Sequence, residues 1–225
     1  MTSARLPQRL RQGILGEGWH AAVLDVSLVP AILAINALYG PLNHGPNRIF
    51  LRSGLDGSIP LVPVFAVAYL SLIPFIGASL LAMTLFSARV YRSPAFSMIA
   101  AWLISYAFYF FLQSYVDRPV VPGNDVFSSL VRSIYASDAP YNDFPSLHTS
   151  LSMIIAIQWW RIDRRIGVPV AVWTALIVVS TTLVHQHYLA DVALGIVVAV
   201  VSSAVFLRTW GAPRRRAQAG AGDPG

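Results

Sequence analysis

The stretch DFPSLHTSLSMIIAIQWW, residues 143–160, joins a polar segment directly to a long apolar run. The apolar part has the composition of a helix that enters a membrane, and His148 stands at the point of entry. Ionisable groups at membrane depth are costly, so they are functional candidates by default. The number of similar apolar runs in the chain therefore indicates the fold. The polar residues that lie beside His148 indicate the function.

The composition of the whole chain is that of an integral membrane protein. Of its 225 residues, 56% are hydrophobic and 12% are charged, whereas soluble domains carry about 25% charged residues. The net charge of +6 comes from arginine without any lysine, which in a membrane protein is typical of cytoplasmic loops rather than nucleic-acid binding. Cysteine is absent, which excludes a disulfide framework and thiolate chemistry.

Six apolar segments approach the length of about 20 residues that a helix needs to cross a bilayer. The fourth is short, and we expect it to extend back through the polar residues at its start. The predicted fold is therefore all-α, an integral membrane bundle of six transmembrane helices. The predicted spans are residues 20–39, 61–86, 95–116, 147–160, 168–185 and 188–208.

The arginines predict the orientation of these spans. Most of them lie in the N-terminal arm, in the second-to-third and fourth-to-fifth connections, and at the C-terminal end. The positive-inside rule makes these segments cytoplasmic, so we expect both termini in the cytoplasm of a bacterial cell and the protein in its plasma membrane. Residues 40–60, residues 117–146 and the turn near residue 186 are then expected to face outward.

The predicted domain organisation is simple. Residues 1–19 form a cytoplasmic arm, residues 20–210 the membrane domain, and residues 211–225, rich in glycine, alanine and proline, a disordered cytoplasmic tail. An apolar segment behind an arginine-containing arm also describes a secretory signal peptide. We favour an uncleaved span, because the segment is long, contains Asp25 and lacks a convincing small-residue cleavage site.

Polar residues from three places, distant in sequence, lie at the same predicted face. The first place follows the third span, the second opens the fourth span, and the third, STTLVHQHYLAD at residues 180–191, connects the fifth and sixth spans. Together they bring arginine, serine, histidine and aspartate to one leaflet boundary. The candidate residues are Asp117, Arg118, Ser146, His148, His185, His187 and Asp191.

His187 and Asp191 are four residues apart, so on a helix they would share a face and their side chains could meet. The carboxylate would accept from one ring nitrogen and leave the other as a free lone pair, as in a nucleophile or general base. The alternative is a buried His–Asp pair that only stabilises two helices.

The start of the fourth span is a candidate anion site. Pro145 predicts a helix boundary there, since proline is well tolerated in the first helical turn. Free N–H groups with the Ser146 hydroxyl would bind an anion, and Arg118 offers a fork of donors fitted to phosphate. The alternatives are an ordinary N-cap beside an interfacial His148, and an arginine that lies at the headgroup level.

Taken together, the three places resemble the signature of the type 2 phosphatidic acid phosphatase superfamily, whose members share a six-helix membrane core. That signature reads K-x6-R-P, then P-S-G-H, then S-R-x5-H-x3-D. The first part is matched by Arg118-Pro119, the second by PSLH at residues 145–148, and the third by Ser180, His187 and Asp191.

The chain departs from this signature at two cationic positions. Phe111 stands where the family carries lysine, and Thr181 where it carries arginine. The form FPSLH followed by QHYLADVALG resembles more closely the inositol phosphorylceramide synthase branch, which transfers a phospho-headgroup between lipids. His185 is a candidate for replacing part of the lost positive charge, with an interfacial residue of no chemical role as the alternative.

The resemblance implies a mechanism. His187, held by Asp191, would attack phosphorus and form a phosphohistidine, while His148 would protonate the departing oxygen and then activate the acceptor. The equatorial oxygens would be bound by Arg118, Ser146 and Ser180. The scheme needs no metal or other cofactor. The expected partners are a membrane lipid phosphate and the bilayer, without nucleic acid.

Two alternatives of other classes stay open on the sequence alone. A metalloenzyme would use His148, His185, His187 and Asp191 as zinc ligands, but it leaves Arg118 and Ser146 unexplained. A transporter or a structural membrane protein with a polar helix junction would turn over no lipid phosphate at all.

Overall fold

The chain is all-helical wherever its structure is described. The structure is a computed structural model that describes residues 19–45, 49–86 and 88–210. No strand occurs in these ranges, only isolated bridges that join Ile49 to Ser114 and Tyr115 to Tyr141. The predicted arm up to residue 18 and the predicted tail from residue 211 lie outside the described residues.

The helices follow one another with short connections, apart from two longer loops before α3 and around α6. Single 3-10 turns at Asp56–Ser58 and Pro63–Phe65 precede α3. The helices are α1 Trp19–Ala37, α2 Tyr39–Leu42, α3 Ala66–Leu70, α4 Leu72–Phe86, α5 Ala88–Phe111, α6 Val126–Ser137, α7 Leu147–Ile162, α8 Arg164–Leu183 and α9 Leu189–Trp210.

Five helical segments in the described ranges are long and apolar enough to cross a membrane, as an integral membrane protein requires. They are Val23–Leu42, Pro63–Thr84, Val90–Phe111, Arg164–Leu183 and Leu189–Arg208. The all-α class is thus confirmed, but the count of six spans is not. The fourth predicted span corresponds to α7, which has 16 residues and is about 24 Å long, against a hydrocarbon core of about 30 Å.

The first residue of α7 is set by Ser146, which caps the helix. The Ser146 hydroxyl accepts the N–H of Thr149 at 3.3 Å, and the N–H of Ser146 donates to the carbonyl of Asp191 at 3.0 Å. Because this N–H is used outside the helix, α7 does not extend back through Asp143, contrary to the expectation above. The same bond joins the start of α7 to the first turn of α9.

The core lies around α7, which packs against α4, α5, α8 and α9. Its contact with α9 is very close at Gly195, where a Cβ would lie 2.8 Å from the carbonyl oxygen of Ser146 and 2.9 Å from Cβ of Thr149. Only glycine fits this position without a shift of the backbone. The largest fully buried apolar side chains are Tyr109, Met83, Met98, Ile154, Ile155 and Ile177.

Helix α5 begins seven residues before the predicted span and includes Arg92. Both Arg92 and Asp25 of α1 are buried, and the guanidinium donates to the carboxylate from Nε at 2.6 Å and from Nη2 at 3.0 Å. Arg92 is therefore not a loop arginine, as the sequence had suggested. A buried charge requires a partner of this kind, and the pair fixes α1 against α5.

We expect Asp25→Leu to destabilise the protein by about 3–5 kcal/mol, because it removes the buried carboxylate that accepts two hydrogen bonds from Arg92. The double variant Asp25→Leu/Arg92→Leu should recover much of this loss, since it removes both charges. Thermal unfolding in detergent measures both. A double variant less stable than the single one would contradict this account of the pair.

Candidate active site

His187 lies in the connection that leads into α9, directly beside the carboxylate of Asp191. Oδ2 of Asp191 accepts the N–H of Tyr188 at 2.7 Å and lies 3.6 Å from Nδ1 of His187. The predicted shared helical face is wrong, because α9 begins only at Leu189. The two side chains meet instead because Asp191, in the first turn of the helix, reaches back over its N-terminus as the acid of a capping box does.

This pair is buried and its hydrogen-bonding capacity is incompletely used. His187 is 8% exposed and Asp191 is fully buried. Neither Nδ1 of His187 nor Oδ1 of Asp191 has a hydrogen-bond partner among the described residues. Catalytic hydrogen bonds are often long without substrate, and a proton on Nδ1 that faces the carboxylate would leave Nε2 as the nucleophilic lone pair.

His187 is positioned by the way α8 ends. The N–H of Gln186 donates to the carbonyl of Thr181 and the N–H of His185 donates to that of Thr182, the paired bonds of a Schellman motif. The residue of such a motif that has positive φ is usually glycine, yet here it is His185, with φ of 50°. Burial lowers the pKa of the His185 imidazole, which disfavours its charged form.

His148 lies in the first turn of α7 and faces His187. Its ring stacks on Tyr69 of α3 with centroids 4.0 Å apart, and it lies 6.0 Å from the ring of His187. Both histidines line a cavity of about 230 Å³, together with Leu147, which stands where the family signature has glycine. One phosphoryl group in this cavity could contact both rings.

Arg118 uses most of its donors within the protein. Nη1 donates to the carbonyl oxygens of Asp138 at 2.6 Å and Tyr135 at 3.4 Å, and Nη2 donates to the carbonyl of Ala139 at 3.3 Å and to Oε1 of Gln186 at 2.8 Å. Only Nε has no partner in the described part of the chain. Arg118 therefore ties the end of α6 to the α8–α9 connection and keeps one N–H for a ligand.

The two predicted phosphate-binding serines are fully buried. The Ser180 hydroxyl donates to the carbonyl of Ile177 at 2.6 Å, and Ser146 is the N-cap of α7. Neither residue lines the cavities described here. Their role at the phosphate stays a prediction, and the bonds that they make are those that hold α7 and α8 in place.

A second, smaller cavity of about 120 Å³ shares His187 with the larger one. Arg118 and His185 also line it. Of the residues predicted for the site, the structure thus places Arg118, His185 and His187 at the smaller cavity and His148 with His187 at the larger one.

Several polar residues of the site were not predicted. Oε1 of Gln186, which accepts from Arg118, also lies 3.5 Å from the hydroxyl of Tyr69, so a chain of contacts leads from Arg118 to His148. Asp138 and Asp143 line the larger cavity, and burial raises the pKa of both carboxyl groups. Asp143 lies in the stretch quoted at the start and Gln186 lies between His185 and His187, so the sequence offered a signal for both residues. Tyr69 and Asp138 belong to no motif, so no sequence signal pointed to them.

The zinc alternative finds no ligand set in the part of the chain that is described. No group of three or more His, Cys, Asp or Glu side chains there is arranged to hold a metal ion. His148 and His187 are near each other, but His185 lies at the other cavity.

The helical membrane fold and the two histidines at one cavity agree with the family of membrane phosphatases and phosphotransferases that the sequence resembles. Residues 44–205 match the family described as the PAP2 superfamily. The match covers well over half of the chain, so the chain belongs to the PAP2 superfamily. Neither a curated protein nor a solved structure matches it.

We expect His185→Gly to be more stable than His185→Ala by about 1 kcal/mol. Both variants lose the imidazole, but only glycine adopts positive φ without the cost of a Cβ. Thermal unfolding of the two variants isolates the backbone contribution. Equal stability would show that this turn is not strained.

Proposed function

We propose that this protein is an integral membrane enzyme that cleaves or transfers a lipid-linked phosphate through a phosphohistidine on His187. The observation that carries the proposal is the position of His187, which lies beside Asp191 and lines two cavities. His148 lines one of them with its ring 6.0 Å from that of His187, and Arg118 lines the other. Membership of the PAP2 superfamily supports a phosphatase-type activity. The active site is proposed to face outward, with both termini in the cytoplasm.

In the first step, the lone pair of Nε2 of His187 attacks phosphorus as the bond to the leaving oxygen breaks. The negative charge of the bound phosphate favours the charged form of His148, which gives its proton to that oxygen. Asp191 stabilises the positive charge that develops on the His187 ring. In the second step, neutral His148 takes the proton of an acceptor hydroxyl, whose oxygen attacks phosphorus as the N–P bond breaks. Water as acceptor gives a hydrolase, and an alcohol gives a transferase.

A large apolar groove supports a lipid as the substrate. It has a volume of about 730 Å³, lies between α1 and α4, and shares Asn36, Ile73, Trp102 and Leu151 with the cavity of the two histidines. From Asn36 to Asp25 it follows α1 for about 16 Å, close to half of a hydrocarbon core of about 30 Å. We assign it to one hydrocarbon chain of the lipid, with the phosphate at the histidines.

The larger cavity also supports the transferase alternative, of the inositol phosphorylceramide synthase type. Besides the histidines it is lined by hydroxyl-binding groups, among them Tyr39, Asp138, Asn142 and Asp143. Oδ2 of Asp143 and Nε2 of Gln186 are buried without a partner among the described residues. Unpaired buried polar atoms are costly unless a ligand satisfies them, and an acceptor with several hydroxyl groups would do so.

The test of the mechanism is an assay in detergent with a panel of lipid phosphates, with and without acceptor alcohols. We expect His187→Ala to lose turnover by about 10³-fold or more, because the nucleophile is gone. His148→Ala should lose about 10²–10⁴-fold, and less with an aryl phosphate, whose leaving group needs no proton. His44→Ala is the control, since His44 is exposed and lines none of the three cavities.

The same assay separates the alternatives. Wild type should form an acid-labile, alkali-stable phosphoryl label that His187→Ala lacks. Release of free phosphate identifies a hydrolase, and movement of a headgroup to the alcohol without free phosphate identifies the transferase. Wild-type rates in both histidine variants would rule out this mechanism. Absence of turnover of every lipid phosphate by the wild type would favour the transporter.

For the groove, we expect Gly77→Phe to reduce turnover of a long-chain lipid phosphate by about tenfold or more, since the ring would occupy the space of the chain. A Cβ at Gly77 meets no atom within 4 Å and Gly77 lines the groove, so a side chain added there extends from an unobstructed position. A short-chain analogue should react at an unchanged rate.

The control for this substitution is Val172→Phe, on the exposed side of α8 and outside the three cavities. It should change neither rate. An equal loss with long and short substrates in Gly77→Phe would contradict the assignment of the groove.

A further inference from the structure

The smaller cavity contains a second arginine that the family signature does not include. Besides Arg118, His185 and His187, it is lined by Arg52, from the loop between α2 and α3, and by Asp117. Arg52 is far from the motif residues in sequence, so no motif points to it. The fold places its side chain in the cavity that His187 also lines.

The backbone around Arg52 is fixed relative to His187 by Asp56. Oδ1 of Asp56 accepts the N–H of Leu189 at 2.8 Å, and Oδ2 accepts the N–H of Ser53 at 2.7 Å. Burial alone would raise the pKa of Asp56, but the hydrogen bonds from Ser53 and Leu189 lower it below its usual value. An ionised, buried carboxylate therefore ties the residue next to Arg52 to the first residue of α9, two positions after His187.

The two signature positions at which this chain lacks a cation, Phe111 and Thr181, contribute nothing to this cavity. Phe111 is 67% exposed at the end of α5. Thr181 is fully buried, and its hydroxyl donates to the carbonyl of Val178 at 2.7 Å. Arg118 keeps only its Nε for a ligand, so the motif residues alone leave a phosphate with very few cationic donors.

Arg52 is free to supply such donors. Its only ion pair in the described part of the chain is with Asp117, at 3.8 Å between Nη1 and Oδ2, and the two side chains are 45% and 61% exposed. An exposed pair at this distance is worth little. A phosphate oxygen could compete with Asp117 for the guanidinium, because charge-assisted bonds to phosphate are shorter and frequently bidentate.

We propose that Arg52, from the side of this cavity, binds the phosphoryl oxygens of a substrate whose phosphorus lies at His187, together with Nε of Arg118. Arg52 so replaces the cations that the chain lacks at Phe111 and Thr181. The inference rests on the function proposed above and adds a phosphate-binding residue to it. Asp117 holds Arg52 when no phosphate is bound and competes with the ligand for it.

The probe is inorganic phosphate, measured by the thermal stabilisation that it gives the intact protein. Arg52→Gln should require about 10- to 100-fold more phosphate for the same stabilisation, and Arg52→Lys should fall between it and wild type. Arg132→Gln is the matched control, since Arg132 is an exposed arginine of α6 that bonds the carbonyl of Gly123 and lines none of the cavities. Kinetically, Arg52→Gln should raise KM while saturated enzyme still forms the phosphohistidine.

A second substitution distinguishes binding by Arg52 from a general effect of charge. Asp117→Asn should tighten phosphate binding in wild type, because it releases Arg52, and should do so much less in the Arg52→Gln background. Equal gains in both backgrounds, equal losses in Arg52→Gln and Arg132→Gln, or no stabilisation of wild type by phosphate would each overturn the proposal. A wild type that binds phosphate but forms no phosphohistidine would instead overturn the proposed function and leave the phosphate site intact.

Discussion

The candidate site depends on Asp191 and on the two helices that this residue joins. Its backbone carbonyl accepts the N–H of Ser146 at the start of α7, and its carboxylate accepts the N–H of Tyr188 at the start of α9. Both bonds use N–H groups that a helix start leaves unsatisfied. As a result, His148 and His187 lie beside one cavity, although they come from different parts of the chain.

This junction works only because the backbones approach closely. Gly195 lets α9 lie against the first turn of α7, where any Cβ would meet Ser146 and Thr149. The hydroxyl of Ser150 donates to the carbonyl of Gly195 at 3.1 Å across the same contact. The small and hydroxylated residues after His148 are thus packing residues, and their polarity serves the helix interface as well as the site.

A second set of hydrogen bonds, made by Arg118, supports the segments that carry the two histidines. Arg118 binds the carbonyl oxygens at the end of α6 and the side chain of Gln186, which reaches the Tyr69 hydroxyl beneath His148. Arg118 is therefore a positioning residue as well as a proposed ligand for phosphate. Because its donors are largely used, Arg52 becomes the group best placed to supply the missing charge.

Local signals in the sequence predicted the helices well, and their ends less well. Five of the predicted spans correspond to helical segments long enough to cross a membrane, since apolar runs of that length have few other stable structures in lipid. The start of α5 was misplaced because Arg92 looked like a loop residue, and only its contact with Asp25 makes it a helical one. The predicted span that corresponds to α7 began at the right residue, but its expected extension back through Asp143 was wrong, because the Ser146 N–H bonds to Asp191, a long-range partner.

The sequence by itself determined the class of the fold, the family resemblance and the candidate histidines, because composition, hydrophobic length and motif spacing are local properties. The tertiary structure alone decided how the candidates are used: that His187 precedes its helix, that Ser146 and Ser180 are buried, and that Arg52 lines a cavity with Arg118. These outcomes depend on which backbone groups find partners across the fold, and pairings between residues more than a hundred positions apart leave no periodic trace in a single sequence.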